Sequence, residues 1–168
     1  LLDMLTMREH LGGLEGAKVA ICGDVMHSRV ARSNIYGLTT MGAKVVLCAP
    51  PTLIPPRIDE LGCAVAPTIE DACENADVVM GLRIQRERQQ KGLFPSVAEY
   101  CDHWEITPDR LALAKKNALV MHPGPMNRGV EIASSVADCG QSVITQQVES
   151  GVAVRMALLY MLTRRENA

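Results

Sequence analysis

Lys18-Val19-Ala20-Ile21-Cys22-Gly23-Asp24-Val25-Met26-His27-Ser28-Arg29-Val30-Ala31-Arg32-Ser33-Asn34 contains an apolar run, a turn and the opening of a helix within 17 residues. The run lacks the alternation of a half-exposed strand, which marks a strand covered on both faces, as in a parallel sheet. Four more such runs follow: Lys44 to Pro50, Cys63 to Pro67, Asp77 to Arg83 and Asn117 to His122. Helix signals lie between them. Ser28 to Met41 ends at Gly42, Ser96 to Trp104 forms a second helix, and Thr107-Pro108-Asp109 opens another with threonine at the cap and proline in the first turn. Strands alternating with helices predict right-handed crossovers and an α/β fold: a three-layer, doubly wound, Rossmann-like and mostly parallel sheet with helices on both faces.

Two terminal segments stand apart from that unit. Leu1 to His10, ended by Leu11-Gly12-Gly13, reads as the last turns of an amphipathic helix that began earlier. Ser142 to Arg165 reads as one long C-terminal helix with Val148, Val152, Leu159 and Leu162 among its apolar positions and Gly151 within it. Both ends point to a neighbour beyond this sheet. The alternative is a frayed start and a helix that covers its own sheet.

A length of 168 residues suits one domain, and 48% hydrophobic with 3% aromatic residues implies a core of aliphatic side chains and methionine. The net charge of −2 provides no field for nucleic acid or an anionic membrane, so neither is expected as a partner. No run reaches the roughly 20 apolar residues of a membrane-spanning helix, and Leu1 to Leu5 does not resemble a signal peptide. The six cysteines contain no C-x-x-C pair and the four histidines are scattered, so neither a metal site nor a disulfide framework is expected. Cys22 and Cys48, inside apolar runs, read as small buried hydrophobes, and reduced thiols suit a cytoplasmic location.

Chemistry is expected where strands end, the edge at which open α/β sheets bind ligands. After the first strand only Gly23 of a G-x-G-x-x-G pattern is present, so no nicotinamide cofactor is expected. His27, Ser28 and Arg29 stand instead at a helix N-terminus, which favours an anion. The fourth strand runs into Arg83-Ile84-Gln85-Arg86-Glu87-Arg88, where period 2 puts Arg83, Gln85 and Glu87 on one side of an extended chain. A guanidinium there can grip a carboxylate with two bonds while an acid two positions on holds it. The fifth ends in His122-Pro123-Gly124-Pro125-Met126-Asn127-Arg128-Gly129, a stiff turn offering a bare carbonyl and little bulk. Taken singly, Arg29 also fits a solvated surface residue, Gln85 to Lys91 a solvated loop, and the proline turn a structural corner without ligand. Arg86 and Arg88 are read as solvated. Together the three strand ends suit a dicarboxylate plus a neutral N–H donor.

Gly23-Asp24, His27 to Asn34, Leu82 to Gln85 with Glu87-Arg88, His122 to Pro125 with Asn127 to Gly129, and Gln147-Val148 with Gly151 to Ala157 resemble, in order and separation, the second half of bacterial aspartate carbamoyltransferases. The related ornithine enzymes would show His-Cys-Leu-Pro at the turn, so the difference favours aspartate. The resemblance implies carbamoyl transfer from carbamoyl phosphate to the amine of L-aspartate, giving N-carbamoyl-L-aspartate and phosphate in pyrimidine synthesis. It assigns Arg29, Arg83 and Gln85 to aspartate, Gly124 and Pro125 to carbamoyl phosphate, and supporting roles to Glu87, His122 and Pro123; it fixes no catalytic residue in this half and implies neither metal nor cofactor. Gln85 to Glu99, bearing Gly92 and Pro95, would be a loop that moves on domain closure.

The family's phosphate clamp, Ser-Thr-Arg-Thr-Arg, and its His-Pro-Thr-Gln segment have no counterpart here. Residues 1–168 are therefore expected to be the aspartate-binding domain, with 1–12 ending an inter-domain helix and 142–166 packing toward an N-terminal carbamoyl phosphate-binding half. A catalytic homotrimer, with site residues shared between subunits, and a larger assembly with regulatory or dihydroorotase-like chains are implied; the chain alone is expected to be inactive. A non-catalytic dicarboxylate-binding or scaffold module remains an alternative, as does another transferase or a dehydrogenase on the same fold.

Overall fold

The computed structural model of the chain describes residues 1–84 and 96–164. Five strands, β1 (Lys18–Gly23), β2 (Lys44–Cys48), β3 (Ala64–Val65), β4 (Val78–Leu82) and β5 (Leu119–Met121), form one sheet in the order β3-β2-β1-β4-β5. Every pairing is parallel, with Val19 opposite both Val45 and Val78, and Val78 opposite Leu119. The strand order reverses between β1 and β4, and a crevice opens beyond the carboxyl ends at such a reversal.

Successive strand residues point to opposite faces and sort the core into two layers. Val19, Ile21, Leu47, Met80 and Met121 pack with Met4 and Met7 of α1 (Leu2–Leu11) and Ile35 and Leu38 of α2 (Arg29–Thr40). Ala20, Cys22, Cys48, Val79 and Val120 face the other way. They pack against α3 (Ile69–Cys73), α5 (Pro108–Leu111) and α6 (Ser134–Ala137). The three-layer expectation therefore holds. Tyr100 of α4 (Val97–Trp104) is buried in the first layer, and α7 (Ile144–Thr163) lies along α1.

Caps explain the helix starts. Ser28, Thr68, Ser96 and Thr107 each accept from the backbone N–H three residues on, closing the first turns of α2, α3, α4 and α5. The expected opening at Thr107 is present, although that helix spans only 4 residues. Ser96 to Trp104, expected as a helix, is the cap and body of α4, so the last residues of the expected moving loop, Ser96 to Glu99, form that helix's start, and the loop's part from 85 to 95 lies outside the described residues.

Some expectations are corrected. The run Cys63 to Pro67 contributes only Ala64–Val65 to the sheet, both exposed, because β3 is the edge strand and only β2 flanks it. The short helices α3 and α6 were not foreseen. The C-terminal helix begins at Ile144, since Ser142 bridges Val120 and extends the β5 edge by one residue; it then runs unbroken through Gly151. Among its described residues only Gln147 and Ser150 are buried, while Val148, Val152, Met156, Leu159 and Leu162 are exposed. All six cysteines are free, with Cys22, Cys48, Cys63 and Cys73 buried. Among the described residues no helix is long and apolar enough to cross a membrane.

Candidate functional site

β1 and β4 approach closely where they end. Gly23 has φ +128°, and a Cβ there would lie 2.4 Å from the Leu82 carbonyl oxygen, so only glycine fits. The chain then turns through Asp24, whose fully buried carboxylate accepts from the His27 backbone N–H at 3.1 Å and from its ring Nδ1 at 2.9 Å. Ser28 Oγ caps α2 by accepting from Ala31 N–H at 3.1 Å. Arg29 is thus the first residue of α2 and is exposed. No acid shares that first turn, so the positive end of the helix and the guanidinium address the same space.

The fifth strand end is held from behind. His122 is buried, and its Nδ1 accepts from Gly124 N–H at 2.9 Å, which makes the ring's hydrogen reside on Nε2. That Nε2–H donates to Glu131 Oε1 at 3.2 Å. The same buried carboxylate accepts from Asn127 N–H at 2.6 Å and Asn127 Nδ2 at 3.2 Å, while Asn127 Nδ2 also reaches the Ile84 carbonyl at 3.2 Å. A Cβ on Gly81 would sit 3.1 Å from His122 Cδ2, so β4 must be bare there for the ring to lie against it.

With Gly124 N–H used internally and no N–H on either proline, the turn offers its solvent side only carbonyls. Among the described residues those of Pro123, Gly124 and Pro125 accept no hydrogen bond. Gly124 has φ +62°, and the Gly124–Pro125 peptide is cis.

These pieces converge. A cavity of about 180 Å³ is lined by His27, Ser28, Arg29, Val30, Leu82, Arg83, Pro123, Gly124 and Pro125. Of the residues expected at the site, Arg29, Arg83, Pro123, Gly124 and Pro125 meet there, and His122 stands directly behind. Gln85 and Glu87 lie outside the described residues. The hollow is smaller than the roughly 300 to 1,000 Å³ of a typical small-molecule site. A larger hollow of about 540 Å³ beside β2 and β3 is lined mainly by apolar residues, among them Pro51, Pro55, Pro56, Pro67 and Trp104, with Arg57 and Asp59 as its charged side chains. Among the described residues no group of acidic, histidine and cysteine side chains could hold a metal.

Behind the site runs a buried polar chain that the motifs alone did not announce. Gln147 Oε1 accepts from His122 N–H at 3.0 Å, and Gln147 Nε2 donates to Asp3 Oδ1 at 2.6 Å. Asp3 Oδ2 accepts from Asn34 Nδ2 at 2.7 Å. Glu131 and Asp3 lie outside the residues that the sequence motifs single out. Their signal was a polar residue at an otherwise apolar helical or loop position, which becomes meaningful only once burial is known.

Residues 15–162 match the family model described as "Aspartate/ornithine carbamoyltransferase, Asp/Orn binding domain". The chain is 63% identical over 162 residues to a protein named aspartate carbamoyltransferase catalytic subunit from Moorella thermoacetica, covering 96% of this chain and 53% of that one. A protein of the same name from Ruminiclostridium cellulolyticum is 61% identical over 165 residues, with coverages of 98% and 53%. The chain thus spans about half the length of these curated relatives. Among solved structures, an aspartate transcarbamoylase from Trypanosoma cruzi in complex with N-(phosphonacetyl)-L-aspartic acid superposes with TM-score 0.78 at 27% identity, covering 95% of this chain and 53% of that one. An ornithine carbamoyltransferase from Thermus thermophilus shares the fold, with TM-score 0.82 at 21% identity and coverages of 97% and 54%.

Proposed function

The chain belongs to the aspartate/ornithine carbamoyltransferase family, and from that membership we propose that it is the L-aspartate-binding half of an aspartate carbamoyltransferase. The observation that carries this reading is the meeting of Arg29, Arg83 and a carbonyl-only turn around one cavity at the strand reversal. Two guanidiniums answer the two carboxylates of aspartate, each able to form two parallel hydrogen bonds. A turn that accepts but does not donate answers the amino group of carbamoyl phosphate, through a carbonyl of Pro123, Gly124 or Pro125. Gln85 adds a third contact to aspartate, and Glu87 orients Arg83.

The reaction is attack of the neutral aspartate amine on the carbamoyl carbon, followed by collapse in which the carbon–oxygen bond to phosphate breaks and the amine's proton leaves with the departing phosphate. The two substrates, gripped from different strand ends, are held with nitrogen facing carbon. Catalysis of this kind rests on positioning and on stabilising charge as it develops on oxygen and phosphate. The groups that hold the phosphate belong to an N-terminal carbamoyl phosphate-binding half. The exposed apolar side of α7 and the start of α1 are the surfaces that pack toward it. A cytoplasmic catalytic homotrimer, joined in some assemblies by regulatory or dihydroorotase-like chains, completes the proposal.

The test joins this chain to the part of the Moorella thermoacetica relative outside the match and supplies carbamoyl phosphate and L-aspartate. N-carbamoyl-L-aspartate should form, whereas the 168-residue chain alone should form almost none. Arg83→Ala in the joined enzyme should weaken binding of N-(phosphonacetyl)-L-aspartate by about 2 to 4 kcal/mol, as for loss of a charged bidentate contact. Unchanged binding would remove Arg83 from the site.

A further inference from the structure

Both walls of the candidate site are fastened to one buried carboxylate. Asp3, only 5% exposed, accepts Asn34 Nδ2 on one oxygen and Gln147 Nε2 on the other. Asn34 lies in α2, the helix that begins with Arg29, so the first contact holds the arginine wall. Gln147 spends its other end on His122 N–H, the residue that opens the proline turn, so the second holds the carbonyl wall. No other described hydrogen bond ties Asp3 to the rest of the chain by its side chain, and both contacts span unlike elements, 31 and 144 residues apart.

We propose that Asp3, acting through Asn34 and Gln147, is a positioning centre that sets the spacing between Arg29 and the Pro123-Gly124-Pro125 turn. The inference rests on the carbamoyltransferase reading for its ligands, though not for its geometry. A side-chain amide is directional: Gln147 cannot rotate its amide to suit a changed partner without surrendering His122 N–H, because its oxygen is already committed there. A change at the Asp3–Gln147 contact therefore shifts the proline turn while the Asn34 contact still holds α2, which alters the spacing between the two walls. A ligand that touches both walls senses the spacing, whereas one held only by the arginines does not.

That difference supplies the test, made in the joined enzyme at mildly alkaline pH. Gln147→Glu keeps the acceptor for His122 N–H but sets a second carboxylate against Asp3 across the present 2.6 Å contact. It should weaken N-(phosphonacetyl)-L-aspartate, which bridges the walls, at least about tenfold, while L-aspartate weakens less than about threefold; tenfold is about 1.4 kcal/mol. Asp3→Asn combined with Gln147→Glu reverses the polarity of that one bond and leaves every hydrogen bond in the chain a donor and an acceptor. The double variant should bind both ligands within about threefold of the unaltered enzyme, a recovery tied to pairing rather than to general stability. Equal weakening of both ligands by the single variant, no weakening, or failure of the double variant to recover folding and binding overturns the proposal. Amide hydrogen exchange across Leu119 to Met126 separates the two readings. If the unaltered enzyme binds neither ligand, the aspartate reading falls, and this inference then stands on faster exchange at His122 in the single variant and its reversal in the double, or falls without them.

Discussion

Replacing Gly23 by alanine examines the contact on which the whole site edge depends. Two penalties add at this position. A side chain at φ +128° strains the backbone by about 1 to 3 kcal/mol. The new Cβ would also meet Leu82 O at 2.4 Å and Leu82 Cβ at 3.0 Å, and overpacking of this kind costs about 1 to 3 kcal/mol. The first obstacle is a backbone oxygen, which cannot swing away as a side chain would, so β1 and β4 must part at the edge from which the chain turns to α2 and its Arg29 and from which β4 runs on to Arg83. The sum, about 2 to 6 kcal/mol, is a large share of the ~5 to 15 kcal/mol that holds a domain folded. Urea unfolding followed by circular dichroism should show the midpoint falling by about 1 to 3 M, given a slope near 2 kcal/mol/M. Gly12→Ala is the control: φ is +77° but nothing lies within 4 Å of the added carbon, so only the strain of roughly 1 to 2 kcal/mol is expected. A loss for Gly23→Ala no greater than that of Gly12→Ala would refute the claim that strand contact, rather than backbone preference, demands glycine at the reversal.

Three further outcomes are expected. Glu131→Gln replaces one of two oxygens that serve His122, Asn127 N–H and Asn127 Nδ2, leaving an amide facing an amide; about 1 to 3 kcal/mol should be lost in denaturant titration, with weaker binding of the bisubstrate mimic. Burial pushes the Glu70 carboxyl up, but the hydrogen bond from Arg110, a backbone hydrogen bond and the Arg110 charge together overcome it and leave it below its ordinary value. A carboxylate lowered by folding stabilises the chain above its unfolded pKa of about 4.3, and that gain fades as pH falls through the lower folded value, so melting scans should show Glu70→Gln losing less stability on acidification than the parent. Buried Cys22, whose thiol is pushed well up by neighbouring Cys48 and Cys73 and by burial, should react with a thiol reagent only on unfolding, whereas half-buried Cys139 should react in the native chain and half-buried Cys101, its thiol pushed up by burial and by Glu105 and Asp102, more slowly; rapid labelling of Cys22 by peptide mapping would contradict the packing.

Much of the architecture was legible because its cues are local. Apolar runs with β-branched residues, Ser28, Ser96 and Thr107 at caps, and Gly42 after a helix each follow from the conformation of a few neighbouring residues. Failures occurred where a neighbour was needed. Cys63 to Pro67 looks like an inner strand, yet its length and exposure are set by having one flanking strand rather than two. The five-residue α3 and four-residue α6 are too short to show a helical period and form because the sheet face offers them something to cover.

The site divides along the same line. Sequence by itself determined the residue types at three strand ends, Arg29, Arg83 and the Pro123-Gly124-Pro125 turn, and the motifs that mark the family, since charge and backbone restriction belong to residues wherever they lie. Tertiary structure alone decided that the three ends share one cavity, that Gly124 N–H is spent on His122 so the turn only accepts, and that Asp3 and Gln147, 144 positions apart, meet behind it. The reason is that a hydrogen bond acts over about 3 Å, and only the order of strands in the sheet together with the packing of α1 against α7 brings such distant residues within that reach.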